Sequence, residues 1–152
     1  MPKLEIEQFL AEKHVGFAGV SRQKSKFSNQ VYRKLKESGH AVYPVHPEME
    51  SLDGDACVTC VGQLPGEVQS LMVVAGPDVC AKVLNDVSGT KISRVWVFPG
   101  KTRPDVESEI RRLKDSGVSV ICGHCPLLFL EPVTSVHSFH RFFVRLLGRY
   151  PK

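Results

Sequence analysis

The feature that most constrains this chain is an alternation between two apolar patterns. Short apolar runs, each stopped by a turn, take turns with stretches in which apolar residues recur three and four positions apart. The first pattern suits strands buried on both faces, the second amphipathic helices. Residues 4–12 read as a short helix with Leu4, Phe9 and Leu10 on its apolar face. His14 to Val20 reads as a strand. A helix follows from Ser28 or Asn29, with Val31 and Leu35 on one face and Gly39 closing it. Ala41 to Val45 is the second strand, stopped by Pro47. Leu71 to Ala75 is the next, and Gly76-Pro77-Asp78 opens a helix carrying Val79, Val83, Leu84 and Val87. Arg94 to Phe98 is a strand ended by Pro99-Gly100. Pro104 starts a helix with Val106, Ile110 and Leu113 on one face, ended by Gly117. Val118 to Cys122 is the last strand, and residues 136–148 read as a final helix. Between residues 48 and 70 the pattern is weak, with Asp55 to Val61 as a candidate short strand. The sum predicts an α/β fold: a doubly wound, mainly parallel sheet with helices on both faces and an extra C-terminal helix.

Composition narrows the class. The chain has 152 residues, 42% of them hydrophobic and 24% charged, as expected for one globular domain over residues 1–152. A disordered tail, a fibre and a coiled coil are excluded. A chain this long buries roughly two-thirds of its unfolded surface, so it needs neither metal nor disulfide to fold. The net charge of +4 permits an anionic ligand but falls short of the concentrated charge of a nucleic-acid binder. No run of apolar residues is long enough to cross a membrane. The N-terminal segment, with Glu5 and Glu7, does not read as a signal peptide, so the expected location is cytoplasmic. Five cysteines, an odd number, suit reduced thiols.

Sheets of this kind bind ligands at the carboxyl ends of their strands, where strand order reverses. Attention therefore falls on the turns after residues 20, 46, 75, 98 and 122. After the first strand come Gly19, Val20 and Ser21, then Arg22, Lys24 and Lys26, then the helix start near Ser28. Glycine allows close backbone approach, and a helix N-terminus offers unpaired amides and partial positive charge. Three cations leading into such a terminus suit a phosphate-binding loop for a nucleotide. The plain alternative is a solvated basic loop with Ser28 as an N-cap. The glycine spacing is G-x-x-G-x-S, which is not the dinucleotide fingerprint, and the second strand ends in Val45-His46-Pro47 with no acid to hold a ribose.

Gly19-Val20-Ser21, Ser28-x-x-Val31, Gly39-His40-x-Val42-x-Pro44-Val45-x-Pro47 and Cys125-Pro126 occur in this order from about residue 14 to 130. In that order and spacing the chain resembles the small single-domain bacterial CoA-binding proteins, whose Rossmann-like domain is related to the CoA-binding domain of succinyl-CoA synthetase. The resemblance implies coenzyme A or acyl-CoA as ligand. It places Gly19, Val20 and Ser21 at the pyrophosphate, Arg22 or Lys26 against phosphate charge, and Ser28 at the helix cap facing it. It places Val45, His46 and Pro47 on the adenine or ribose side. The turns Ala75-Gly76-Pro77 and Phe98-Pro99-Gly100 would border the pantetheine. Apart from the resemblance, Cys125 is a candidate neighbour of the thiol of bound CoA, the plain alternative being that Cys125-Pro126 shapes a turn. Two departures stand out: His46 occupies a position where the family usually has Asn, and no Arg follows Ala75-Gly76.

Other motifs offer competing chemistry. Cys57/Cys60 and Cys122/Cys125 form two C-x-x-C pairs, but 61 residues separate them, against roughly 15–20 in zinc ribbons. If residues 55–61 form a strand, Cys57 and Cys60 point to opposite faces. Cys122-Gly-His-Cys125 resembles a thiol–disulfide exchange motif, although it follows the last strand. His137 and His140 have metal-compatible spacing without a third ligand. His137, Arg141, Arg145 and Arg149 share one helix face, which suits an amphipathic helix with a solvated basic side, an acidic partner or a CoA phosphate. The chain lacks a nucleophile with a base and an orienter in reach. The expectation is a non-catalytic binder of CoA or acyl-CoA, acting as carrier, sensor or subunit, with no nucleic-acid or membrane partner. The alternatives are an NAD(P)-dependent or other nucleotide enzyme, and a thiol oxidoreductase using Cys122 and Cys125.

Overall fold

The structure, a computed structural model, describes residues 2–23, 25–98 and 103–130. Helix α1 (Pro2–Ala11) leads into strand β1 (His14–Ala18), helix α2 (Phe27–Glu37) and strand β2 (Ala41–Val45). A two-stranded hairpin follows, β3 (Ser51–Leu52) with β4 (Asp55–Ala56), then a 3-10 turn at Val61–Gln63. The chain returns to the main sheet as β5 (Ser70–Val74), α3 (Pro77–Asp86), β6 (Arg94–Phe98), α4 (Pro104–Asp115) and β7 (Ser119–Cys122), and reaches a 3-10 turn at Pro126–Leu128. The five main strands are all parallel, in the order β2-β1-β5-β6-β7. This is the Rossmann-like α/β architecture that the alternation predicted.

The central strands β1, β5 and β6 bury both faces along their interiors, which is why those interiors read as apolar runs. From β1, Val15 and Phe17 join the side chains of α1 and α2, including Ile6, Phe9, Val31, Tyr32 and Leu35. Ala18 faces the other layer, where Leu84 of α3 and Val106, Ile110 and Leu113 of α4 pack on Leu71, Val73, Val95 and Val97. Trp96 is fully buried, its ring 5.5 Å edge-on from Phe9. Its indole N–H donates to the His124 carbonyl at 2.9 Å and fixes the turn after β7. Both α3 and α4 begin with proline, whose missing N–H costs nothing at that position. At the end of α2, Gly39 takes a φ of +99° while its amide and that of His40 bond back to the Lys36 and Leu35 carbonyls, a Schellman close.

Several sequence expectations need correction. β1 stops at Ala18, two residues short of Val20, because the chain turns at Gly19. The stretch 55–61 is not one strand: only Asp55–Ala56 pair, and Val58 then forms a parallel bridge with Val45. Pro44 is tolerated because β2 is an edge strand. Its carbonyl accepts from the Val58 amide at 3.0 Å, and the Val58 carbonyl accepts from the His46 amide at 2.9 Å. Leu4 is exposed, and Ile6 takes the buried place beside Phe9. The final helix 136–148, with His137, His140, Arg141, Arg145 and Arg149, lies outside the described residues, as do Lys24, Pro99 and Gly100. None of the described helices is long and apolar enough to cross a membrane.

The hairpin is held to α2 by charge. The Tyr32 hydroxyl donates to the Asp55 carboxylate, Lys36 donates to the same oxygen at 2.5 Å, and Arg33 reaches Asp53 at 3.3 Å. Burial opposes ionisation of Asp55, but the bonds from Lys36 and Tyr32 prevail and hold its carboxyl below the usual range. Burial, then the hydrogen bond to Asp55, push the Tyr32 phenol up.

Candidate functional site

Strand order reverses between β1 and β5, whose following chains leave in opposite directions. A cleft of about 520 Å³ opens there, at the carboxyl ends of β1, β2 and β5. Its floor is the turn after β1. Gly19 has a φ of +111°, and a Cβ on it would lie 1.9 Å from the Val74 carbonyl oxygen of β5. No other residue fits, so the backbone at the switch point runs bare against the neighbouring strand.

One buried side chain shapes the next residues. Asn29, fully buried in the first turn of α2, accepts from the Ser21 amide at 2.8 Å through Oδ1. Its Nδ2 donates to the carbonyls of Ser21 at 2.6 Å and Gln23 at 3.2 Å. The Ser21 hydroxyl accepts from the Gln23 amide at 3.1 Å. The loop is thereby pinned in front of the helix, although Arg22 and Gln23 are exposed. The N-cap is Lys26, without a side-chain cap, and Ser28 sits buried inside the first turn, which corrects its expected capping role. The helix start, with its polarity and unpaired first amides, adjoins the cleft where Lys26, Phe27 and Ser28 line it.

The structure gathers ten of the residues expected from the sequence around this cleft. Gly19, Val20, Ser21, Lys26 and Ser28 come from the first turn, Val45, His46 and Pro47 from the end of β2, and Ala75 and Gly76 from the end of β5. Arg22 is not in the lining; its guanidinium lies 3.9 Å from the Glu48 carboxylate beside it. Cys125 and Pro126 are not in the lining either. Cys125 is half-buried and precedes the 3-10 turn, where Pro126 is buried.

The sequence reading missed the opposite wall. Val79, Lys82, Val83 and Asp86 of α3 line the cleft, and they are joined by Phe98, which the resemblance had already placed beside the ligand. Phe27 leans on Phe98 with ring centroids 5.7 Å apart and is 39% exposed; Val79 is 47% exposed. Lys82 pairs with Asp86 at 3.1 Å. Thr59, Cys60 and Val61 close the β2 side, brought there by the Val58 bridge. Phe27, which directly follows the cations and opens α2, was the available signal for this wall. A valine on α3 facing a cleft has the same helical spacing as one facing the core.

All five thiols are free, and Cys80 is buried. Cys60 is exposed in the cleft, while Cys57, Cys122 and Cys125 are half-buried elsewhere. Burial pushes the Cys122 thiol up, only partly countered by the Gly123 amide, opposite to the shift an exchanging thiolate needs. Among the described residues, no group of three or more His, Cys, Asp and Glu could hold a metal ion.

Comparison with known proteins agrees with the fold. YneT, an uncharacterised protein of Bacillus subtilis (strain 168), is 23% identical over 124 residues, covering 81% of this chain and 90% of its own. The structure of cell-free ID.343 from Thermus thermophilus is 27% identical with a TM-score of 0.69, covering 82% of this chain and 93% of that one. Part of the dinucleotide-forming acetyl-coenzyme A synthetase 1 of Ca. Korarchaeum cryptofilum, in complex with phosphate and ADP, is 24% identical with a TM-score of 0.67. That match covers 76% of this chain and 26% of the synthetase. The model of the family described as CoA binding domain matches residues 13–131. The chain, alternating strands and helices around a switch-point cleft, therefore belongs to the CoA-binding domain family.

Proposed function

We propose that the protein binds coenzyme A or an acyl-CoA in the switch-point cleft, without catalysing a reaction on it. The observation that carries this reading is the first turn. Gly19 leaves bare backbone, Asn29 pins the loop, and the start of α2 with Lys26 meets the cleft, an arrangement suited to a pyrophosphate. Val45, His46 and Pro47 suit the adenosine side, and Ala75 and Gly76 the pantetheine. The apolar surfaces of Phe27, Val79 and Phe98 suit the less polar arm of the ligand. The end of β2 offers no inward acid for a nicotinamide ribose, since Glu48 is exposed beside Arg22. The role is that of a carrier, sensor or subunit, and a cytoplasmic location fits it.

A thermal-shift panel of CoA, acetyl-CoA, NAD, NADP and ATP tests the ligand class. CoA at a hundredfold excess over its Kd is expected to stabilise the fold by about 2.7 kcal/mol. Equal or greater stabilisation by NAD would sink the reading. Lys26→Ala is expected to weaken CoA binding more than Arg22→Ala, because Lys26 lines the cleft and Arg22 does not. Charge-assisted bonds contribute roughly 1.5–3 kcal/mol when formed, less at an exposed lysine and less again in salt. Dephospho-CoA separates the two phosphate sites: equal weakening of both ligands places Lys26 at the pyrophosphate.

A further inference from the structure

His46 follows the last residue of β2, and its ring lies half-buried in the cleft wall. Its Nδ1 is 3.0 Å from the Glu48 amide nitrogen and 2.9 Å from that of Met49. A backbone amide only donates, so Nδ1 must accept from both and cannot carry a hydrogen. A neutral imidazole then holds its proton on Nε2. The ring is locked at both ends of a short turn: its main-chain N–H is tied to the Val58 carbonyl, and its Nδ1 to the two amides that follow. Among the described residues nothing accepts from Nε2.

We infer that His46 is a fixed hydrogen-bond donor to an acceptor oxygen, ribose or phosphate, of the ligand in the cleft, and that acid releases the ligand by turning the ring's Nδ1 from acceptor to donor. The inference rests on the proposed CoA-binding role. A second proton on the ring would point N–H at the Glu48 and Met49 amides. The turn would have to open, carrying away the Nε2 donor. Burial, then the nearby Arg22 guanidinium, disfavour that proton and outweigh Glu48, which favours it; Lys26, Cys60, Lys82 and Asp86 line the same cleft. The fold therefore binds the neutral ring better than the charged one. Stability and affinity are complete above the ordinary histidine range and decline as pH falls below it.

Titration calorimetry with CoA and dephospho-CoA at about pH 7.5 and about pH 5.5 tests this on the wild type, His46→Asn and His46→Phe. Asn can accept the turn amides through its carbonyl oxygen and still donate, but it does not titrate. From the higher to the lower pH, the wild type is expected to lose about fivefold or more in affinity beyond any loss in His46→Asn, on the scale of one hydrogen bond. Comparing the two proteins on one ligand cancels the ligand's own titration. His46→Phe is expected to bind weakly at both pH values. If Nε2 meets the 3′-phosphate, that loss is confined to CoA; if it meets the ribose or pyrophosphate, dephospho-CoA shows it too. Parallel behaviour of wild type and His46→Asn, or tighter wild-type binding in acid, overturns the switch. Ring-nitrogen NMR without ligand is expected to find the proton on Nε2 at neutral pH. A proton on Nδ1 overturns this inference and leaves the CoA reading standing. Absence of CoA binding at both pH values overturns the donor role and the CoA reading together.

Discussion

The two walls of the cleft are built by different means. On the β1 side, backbone makes the surface: Gly19 lies against Val74, and the loop beyond it hangs from the buried Asn29. On the α3 side, side chains make it, with Val79 and Val83 apolar and Lys82 paired to Asp86. Backbone held by buried groups is placed once by folding and does not rearrange. Side chains on an exposed helix face can change without disturbing the sheet beneath. The first wall is therefore expected to tie ligand binding to stability, and the second to separate them.

Gly19→Ala should break the first wall most completely. The substitution combines a φ of +111° with a contact of 1.9 Å to backbone. Strain in Gly-only regions costs on the order of 1–3 kcal/mol, and displacement of β5 adds to it. Urea unfolding should show a loss of at least about 2 kcal/mol together with lost CoA binding. A variant of wild-type stability would mean the turn is not locked.

Asn29→Ala comes next. It strands the Ser21 amide and two carbonyls, and a buried polar group without a partner costs about 1–3 kcal/mol. Some are rescued by water at the exposed loop, so a loss of about 2 kcal/mol is expected by denaturation. CoA affinity should fall as well, since the loop is no longer held. Affinity kept intact in a destabilised Asn29→Ala would separate loop geometry from binding and undo the contrast between the walls.

Val79→Ala probes the second wall and should have the smallest effect. Half-exposed surface positions away from special geometry change stability by within about 0.5 kcal/mol. The lost apolar contact with a ligand is worth about 1 kcal/mol, or roughly fivefold in CoA affinity by calorimetry. An unfolding loss as large as that of Asn29→Ala would show that this wall also carries the fold.

The contrast also explains what could be read in advance. The turn after β1 announced itself through Gly19, Ser21 and the flanking cations, because a special backbone needs special residues. Ala41–Val45 and Arg94–Phe98 were bounded correctly, since a buried strand between turn residues has few other registers. Ser28 does not cap because the helix begins at Phe27, with Lys26 as its cap two residues before Ser28 and no side chain marking the start. Val79 and Val83 were read only as helix-face residues, because periodicity reports a helix's apolar side and not what covers it. Residues 57–61 carried a weak strand pattern and a C-x-x-C spacing, and neither placed them at the cleft. Their place beside His46 comes from the Val58 bridge to β2, a pairing between backbones that leaves no mark on residue type.

The sequence by itself determined the class of fold, the parallel strands and the glycine turn after β1. These follow from local rules: apolar period, proline and glycine geometry, and charge near a helix start. Only the tertiary structure decided that Asn29 holds the loop, that α3 supplies the second wall and that His46 Nδ1 meets the Glu48 and Met49 amides. Each of these depends on which groups meet across the sheet or the turn. Hydrogen bonds and contacts formed between distant segments are set by packing, and packing is not periodic in the sequence.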